Sequence, residues 1–242
     1  MDTMNILQDC SNVNNPLLLD EDDFIPLNII GLLGSGTFSV VYMILLDNTA
    51  YAFRVSLVSD TNIQKELNIY CLVDNLKVYT SSLQNVKHFA FFNQNVRSML
   101  QYYWKKYSSE EYMHPMLERE GTYFTVITEI IQGIGYPISL NVEDRIDFIF
   151  ELLVAIYVLN NNNIAHGDLH PGNIGYIYTD TNRLYRINGK KYLATSKYLP
   201  VLFDYGNSYN LDNGRSEIYS ILEYHDDIMD VLNDEEKNNT IR

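Results

Sequence analysis

The chain has 242 residues, 46% of them hydrophobic, enough to bury a sizeable core in one large domain or two small lobes. Its net charge of −14 opposes broad contact with nucleic acid or anionic membranes, because both are negatively charged, so an anionic ligand needs a local positive site. Cys10 and Cys71 are the only cysteines, which argues against a disulfide framework and reads as two thiols in a reducing compartment. The first residues mix acidic and amide side chains where a secretory signal needs a basic start and an unbroken apolar run. No stretch approaches the roughly 20 consecutive apolar residues of a membrane span. The expectation is a soluble, cytoplasmic protein.

In chain order, NIIGLL, the glycine turn GSGTF, SVVYMILL, a DNT turn and YAFRVSL come first, their β-branched and aromatic residues bounded by Gly, Asn and Asp, and predict an antiparallel meander. A helix follows, capped by Ser59 or Asp60, with Ile63, Leu67, Tyr70 and Cys71 on one face and Glu66 beside it. VKHFAFF predicts a strand. The run of Tyr102, Tyr103, Trp104, Lys105, Lys106 and Tyr107 has the composition of a stacking patch for nucleic acid. On so acidic a chain the better reading is an amphipathic helix with a solvated charged edge. TYFTVITEII predicts a buried strand, and Gly133, Gly135 and Pro137 mark a boundary between lobes. Residues 142–159 predict a helix capped by Asn141, with Ile146, Ile149, Phe150, Leu153, Ile156 and Tyr157 as its core face. A polar loop, a strand IGYIY, a hairpin turning at Asn188-Gly189 and a strand YLPVLFD come next. A last helix is predicted over 217–232.

Three signals occur in the order that phosphoryl transfer from ATP needs. The first is Gly34-Ser35-Gly36-Thr37-Phe38-Ser39 with Val41, a hairpin whose glycines let backbone close over phosphates. The second is His166-Gly167-Asp168-Leu169-His170-Pro171-Gly172-Asn173, which places a base, Asp168, and an oxygen ligand for Mg²⁺, Asn173, on one tight loop. The third is Phe203-Asp204-Tyr205-Gly206 at the end of an apolar strand, where a carboxylate can hold the same metal. His88, His114 and His225 have no neighbours at metal-ligand spacing and read as surface or core residues.

In these three motifs and their order, the chain resembles the protein-kinase-like superfamily from about residue 29 to 232. The resemblance implies an α+β, bilobal fold: an extension over 1–26, an N-lobe over 27–132 and a C-lobe over 133–242. The N-lobe is expected to be a small antiparallel sheet with one helix, and the C-lobe to be shortened and mainly helical. It implies ATP and Mg²⁺ as cofactors, with Gly34, Ser35, Gly36, Thr37 and Phe38 over the phosphates and Val41 and Ala52 flanking adenine. Thr128 to Ile131 form the gatekeeper and hinge, with Glu129 and Ile131 among the nucleotide contacts. Asp168 is the implied catalytic base, Asn173 and Asp204 the metal ligands, His166 a brace for the loop, and Glu66 the inward helix glutamate. The long link before the third motif is similar to kinase-like proteins of large DNA viruses, which implies host cytoplasm or virion as the location.

The chain departs from that pattern at definite places. The third-strand lysine is Arg54, which keeps the charge and can pair with Glu66 but is not equivalent at a fitted site. Ser39 replaces the third loop glycine, Tyr205 replaces the usual Phe, and no A-P-E motif follows Gly206. Asp226 or Asp227 stands for the aspartate that anchors the catalytic loop. LHPGN, with His170 in place of a lysine, is similar to aminoglycoside and choline phosphotransferases. The short end resembles minimal atypical kinases such as that of the KEOPS complex. The leading reading is an atypical Ser/Thr protein kinase acting on a protein substrate, with Arg54, Glu66 and Asp168 as its catalytic set. A pseudokinase that scaffolds a protein partner is the alternative, and a small-molecule phosphotransferase the second alternative. None of the three involves nucleic acid or membrane.

Overall fold

A computed structural model describes residues 18–24, 27–60, 62–84, 86–135, 137, 140–187 and 189–211. The chain divides into two compact units, Met1–Cys71 with Asn85–Ile130, and Leu72–Gln84 with Ile131–Arg242. Each mixes strands with a small number of helices.

In the first unit, β1 (Leu18–Leu19) and α1 (Glu21–Phe24) precede the meander β2 (Asn28–Ser35), β3 (Ser39–Leu46) and β4 (Thr49–Leu57). Then come α2 (Ile63–Leu76), whose residues from Leu72 on are assigned to the second unit, and β5 (Val86–Phe92), α3 (Arg97–Tyr107), α4 (Pro115–Glu118) and β6 (Tyr123–Thr128). Six strands form one sheet in the order β1-β5-β6-β4-β3-β2. β1 runs parallel to β5, so the sheet is mixed rather than antiparallel as expected. The physical reason lies in residues assigned to an extension: Leu19 is buried, and Phe24 sits edge-on to Phe92 at 5.2 Å. Period-two burial along β3 turns Val40, Tyr42, Ile44 and Leu46 into the core and leaves Val41 and Met43 on the other face.

That core is closed by the segment between β5 and β6, where α3 is the helix read from the aromatic run and the short α4 is an addition to it. Leu100 and Trp104 on α3 are buried against the sheet core, and fully burying one such leucine contributes roughly 1.5–3 kcal/mol. The polar ends of the aromatic side chains find backbone partners. Tyr42 Oη donates to Leu100 O at 3.0 Å, Tyr107 Oη to Ile29 O at 3.2 Å, and Trp104 Nε1 to Tyr112 O at 3.0 Å. Lys105 and Lys106 are exposed while Leu100 and Trp104 are buried, so the amphipathic-helix reading with a solvated charged edge holds, and Lys106 Nζ lies 4.8 Å from the Tyr107 ring.

α2 begins where expected but is capped differently. Asn62 Oδ1 accepts from Lys65 N at 3.4 Å, while the Asp60 carboxylate is taken by Arg119, with Nη1 donating to Oδ1 at 2.8 Å. Ile63, Leu67 and Tyr70 are buried, and Glu66 points inward with them. Cys71 is disulfide-bonded rather than a thiol, which corrects the sequence reading for that residue; Cys10 lies outside the described residues.

In the second unit the described elements are β7 (Gly133–Ile134), α5 (Val142–Asn161), β8 (Ile164–Ala165), β9 (Ile174–Tyr178), β10 (Arg183–Ile187), β11 (Lys190–Ala194), β12 (Tyr198–Leu202) and β13 (Tyr209–Asn210). β12, β9 and β7 form a three-stranded sheet, β10 pairs with β11, and β13 pairs with β8. Among the described residues this unit is therefore strand-rich, which corrects the mainly helical expectation; the helix predicted over 217–232, with Asp226 and Asp227, lies outside them. The hairpin turns as predicted, with Gly189 at φ +77°, a conformation that favours glycine.

α5 is capped by Asn141, whose Oδ1 accepts from Asp144 N at 2.8 Å, as expected. Its buried face matches the predicted one only in part: Ile156 is buried as expected, and Ile146, Ile149 and Phe150 are half-buried. Phe148, Glu151, Leu152, Ala155 and Leu159 are buried, whereas Leu153 and Tyr157 are exposed. The reading failed because two acids on the core face are matched from the β10–β11 hairpin. Arg183 grips Glu151 with two nitrogens at 2.5 and 2.9 Å, and Tyr185 Oη donates to Glu151 Oε1 at 2.7 Å. Asp147 accepts from Tyr192 Oη at 2.7 Å and from the N–H groups of Thr195 and Ser196 at 2.7 and 2.8 Å. Burial, followed by the adjoining carboxylates, pushes the Tyr185 and Tyr192 hydroxyls well above the usual tyrosine range. Among the described residues no helix is long and apolar enough to cross a membrane.

Candidate functional site

The expected nucleotide residues of the first unit are assembled by strand register. Val41 pairs with Arg54, Met43 with Ala52, and Ala52 in turn with Thr128, so Val41, Ala52, Arg54 and Thr128 share one sheet face. This is the face opposite the one covered by α3. Gly34 pairs with Val41 after a bulge, and the turn beyond it closes through Gly36 N donating to Ser39 O at 2.9 Å. Thr37 lies in that turn, and Phe38 at its tip is 58% exposed.

Neither loop glycine is required by the protein's own packing. A Cβ on Gly34 would meet nothing within 4 Å, and one on Gly36 would meet only Ser39 Oγ at 3.8 Å. Their backbones are not in the left-handed region either, in contrast to Gly167 at φ +80°, where a Cβ would fall 2.3 Å from Asn207 O.

Arg54 and Glu66 form an ion pair between Nη2 and Oε1. The pair is nearly dry, with the glutamate side chain 1% and the arginine 18% exposed, so neither charge is left uncompensated. Arg54 also lies 6.0 Å from the Tyr70 ring on the next turn of α2. Glu66 Oε2 is buried without a hydrogen-bond partner among the described residues. Glu129 is half-buried just past β6, within the first unit.

The second unit holds the acidic and amide residues. Ile131 packs against Gly175 of β9, where an added Cβ would come within 2.3 Å of Ile131 Cγ2. Asn173 donates from Nδ2 to Asp168 O at 2.9 Å and to Asp168 Oδ2 at 3.3 Å. With its donor end so occupied, the amide oxygen of Asn173 is the end left for a cation. Phe203 N donates to Asn173 O at 3.2 Å, so the strand that delivers Asp204 is tied to the loop that delivers Asn173. Asp204 itself adopts φ 63°, ψ 76°, a left-handed conformation costing about 1–3 kcal/mol for a non-glycine residue. Such strain persists where surroundings impose it, and here its Oδ1 accepts from Gly206 N at 3.4 Å.

The buried His166 ring holds these segments together: Nε2 is 3.0 Å from Phe203 O, and its own carbonyl accepts from Ser208 Oγ at 2.9 Å. Tyr205 is fully buried and donates to Leu202 O at 2.9 Å, and that burial drives its hydroxyl far above the ordinary tyrosine range. His170 caps the turn at Pro171–Asn173 through Nδ1, which accepts from Gly172 N at 3.0 Å, and presents Nε2 at 3.8 Å from Asp168 Oδ2.

Two residues of this arrangement escaped the sequence reading. Asn207 Nδ2 donates to Asp168 Oδ2 at 3.1 Å, so the oxygen already held by Asn173 has a second donor. Its only sequence signal is an amide directly after Asp204-Tyr205-Gly206. His114, read as a surface or core histidine, is buried with Nε2 at 2.8 Å from Gly36 O. A separate groove of about 560 Å³, lined by residues of the 77–81 segment, α5 and β10, includes none of the predicted site residues.

No protein-family profile matches the chain, and no curated protein matches it. The chain is similar to a solved crystal structure of a kinase domain, at 16% identity and a TM-score of 0.42, over 78% of this chain and 53% of that one. The chain thus spans about half the length of that kinase-domain chain.

Proposed function

We propose that the chain is a kinase-like phosphotransferase that uses ATP and Mg²⁺, and that it acts as an atypical Ser/Thr protein kinase. The observation that carries this reading is the Asp168–Asn173–Asp204 arrangement: a carboxylate beside an amide oxygen and a second carboxylate on hydrogen-bonded segments. Hard cations such as Mg²⁺ take oxygen ligands of this kind and usually bind through one or two carboxylates plus substrate phosphates. Two further features fit a triphosphate. The loop glycines have no packing reason to be glycine, which accords with a backbone that something must approach closely. Arg54 brings a fixed positive charge, held by Glu66, to the face shared by Val41 and Ala52.

Bound MgATP would supply the electrophilic phosphoryl group. Asn173 and Asp204 would hold the metal, and Arg54 would neutralise phosphate oxygens. Asp168 would orient the acceptor: Asn173 and Asn207 steady Oδ2 and leave Oδ1 to accept the proton of a hydroxyl. A second reading, a nucleotide-binding module without transfer, rests on Arg54, whose planar fork is wider than the ammonium it replaces.

Incubation with γ-labelled ATP and Mg²⁺ in the presence of protein substrates separates these readings. Label on Ser or Thr of a protein is expected. Label carried only by small amines or alcohols would move the assignment to a small-molecule phosphotransferase, and no label on any acceptor, with ATP still bound, would favour the binding module.

A further inference from the structure

We propose that His114 is a positioning residue for the glycine hairpin, holding Gly36 so that the backbone N–H of Thr37 is presented to the terminal phosphates of a nucleotide. The inference rests on the nucleotide reading above. His114 lies outside the three motifs, in the segment between β5 and β6, and reaches back to the turn between β2 and β3.

Its ring is defined on every side. Nδ1 accepts from Met116 N at 3.2 Å, capping α4. A neutral imidazole with Nδ1 as acceptor carries its proton on Nε2, so Nε2 donates to Gly36 O at 2.8 Å. Trp104 packs against the ring at 5.3 Å between centroids. The platform beneath is fixed in turn: Gln101 Nε2 donates to Leu117 O at 2.7 Å, joining α3 to α4, and Tyr107 Oη joins α3 to Ile29 of β2. The histidine is 6% exposed, so its hydrogen bond to the turn competes little with water.

The consequence follows from peptide geometry. In a trans peptide the C=O of one residue and the N–H of the next point in opposite directions. Holding Gly36 O toward His114 therefore turns Thr37 N–H away from the α3–α4 segment. Backbone N–H groups in glycine-rich turns are what cradle phosphates, and a free turn would have to lose this orientation's alternatives on binding. A hairpin whose glycines are unconstrained by packing is otherwise among the more mobile parts of a sheet, since glycine has the largest backbone freedom to lose. The clamp supplies that restraint beforehand.

Two substitutions divide the ring's two roles. Asn at 114 can keep the cap through its oxygen but cannot reach Gly36, whereas Gln places an amide N–H near the Nε2 position and forfeits the cap. H114N is expected to weaken ATP binding about three- to tenfold, the scale of one lost hydrogen bond, with adenosine affinity unchanged. H114Q is expected to bind ATP within about twofold of the parent, since it keeps that bond. In the ligand-free protein, amide exchange at Gly36 through Ser39 should quicken in H114N and stay slow in H114Q. Equal exchange in all three proteins, or equal loss of adenosine and ATP affinity in H114N, overturns the clamp. If the parent binds neither ATP nor adenosine, the nucleotide reading and with it the positioning role fail, and the exchange data still decide whether the clamp exists.

Discussion

If Asp168 is the base proposed above, Asp168→Asn is expected to lower phosphoryl transfer by about two to four orders of magnitude, the usual contribution of a positioned base, while leaving MgATP affinity within about twofold. The substitution is nearly isosteric. Asn173 and Asn207 both approach one oxygen of residue 168 as donors, so an amide there must turn its oxygen toward them. Its NH₂ then faces the acceptor hydroxyl, where it can take no proton. Asn173 still has the Asp168 backbone carbonyl at 2.9 Å, so the amide oxygen proposed to face the metal stays in place. Kinetics on the two proteins with the same acceptor checks both halves. An unchanged rate removes Asp168 from the chemistry; a parallel loss of rate and MgATP affinity makes it a structural residue of the loop.

The second large effect is on stability. Glu151→Ala is expected to cost about 3–5 kcal/mol, because it strands a largely buried guanidinium and removes the acceptor of Tyr185 Oη. For a chain of this size that lowers the melting temperature by about 6–20 °C. The same argument predicts that a double substitution, Glu151→Leu with Arg183→Met, is markedly less damaging than Glu151→Ala, since no charge is left unpaired. Calorimetric melting of the three proteins measures this. A Glu151→Ala protein as stable as the parent contradicts the buried network, and a double variant worse than the single one contradicts its electrostatic explanation.

Local signals carried most of the strand and helix pattern. The meander is readable because its runs of β-branched and aromatic residues are bounded by turns marked by Gly, Asn and Asp. Asn141 capped α5 as a short polar residue before an apolar run should. The core face of α5 was misread because Glu151 and Asp147 look like solvent residues until Arg183, Tyr185 and Tyr192 arrive from over 30 residues downstream. The strand at Leu18–Leu19 was missed because two residues carry no periodicity, and only pairing with β5 makes them a strand. The same logic separates the site residues. Asp168, Asn173 and Asp204 announce themselves by spacing, whereas Asn207 and His114 reach distant segments through single hydrogen bonds, for which a sequence offers no local mark.

The most direct test of the phosphotransferase account is thermal melting with ATP, with and without Mg²⁺, on the parent chain and on Asp204→Asn. A ligand that binds only the folded state raises the melting point in proportion to the logarithm of its concentration over its dissociation constant. The account predicts a stabilisation by ATP that grows with Mg²⁺ in the parent and loses its Mg²⁺ dependence in Asp204→Asn. The absence of any shift at millimolar ATP, or an identical Mg²⁺ response in the two proteins, would contradict it.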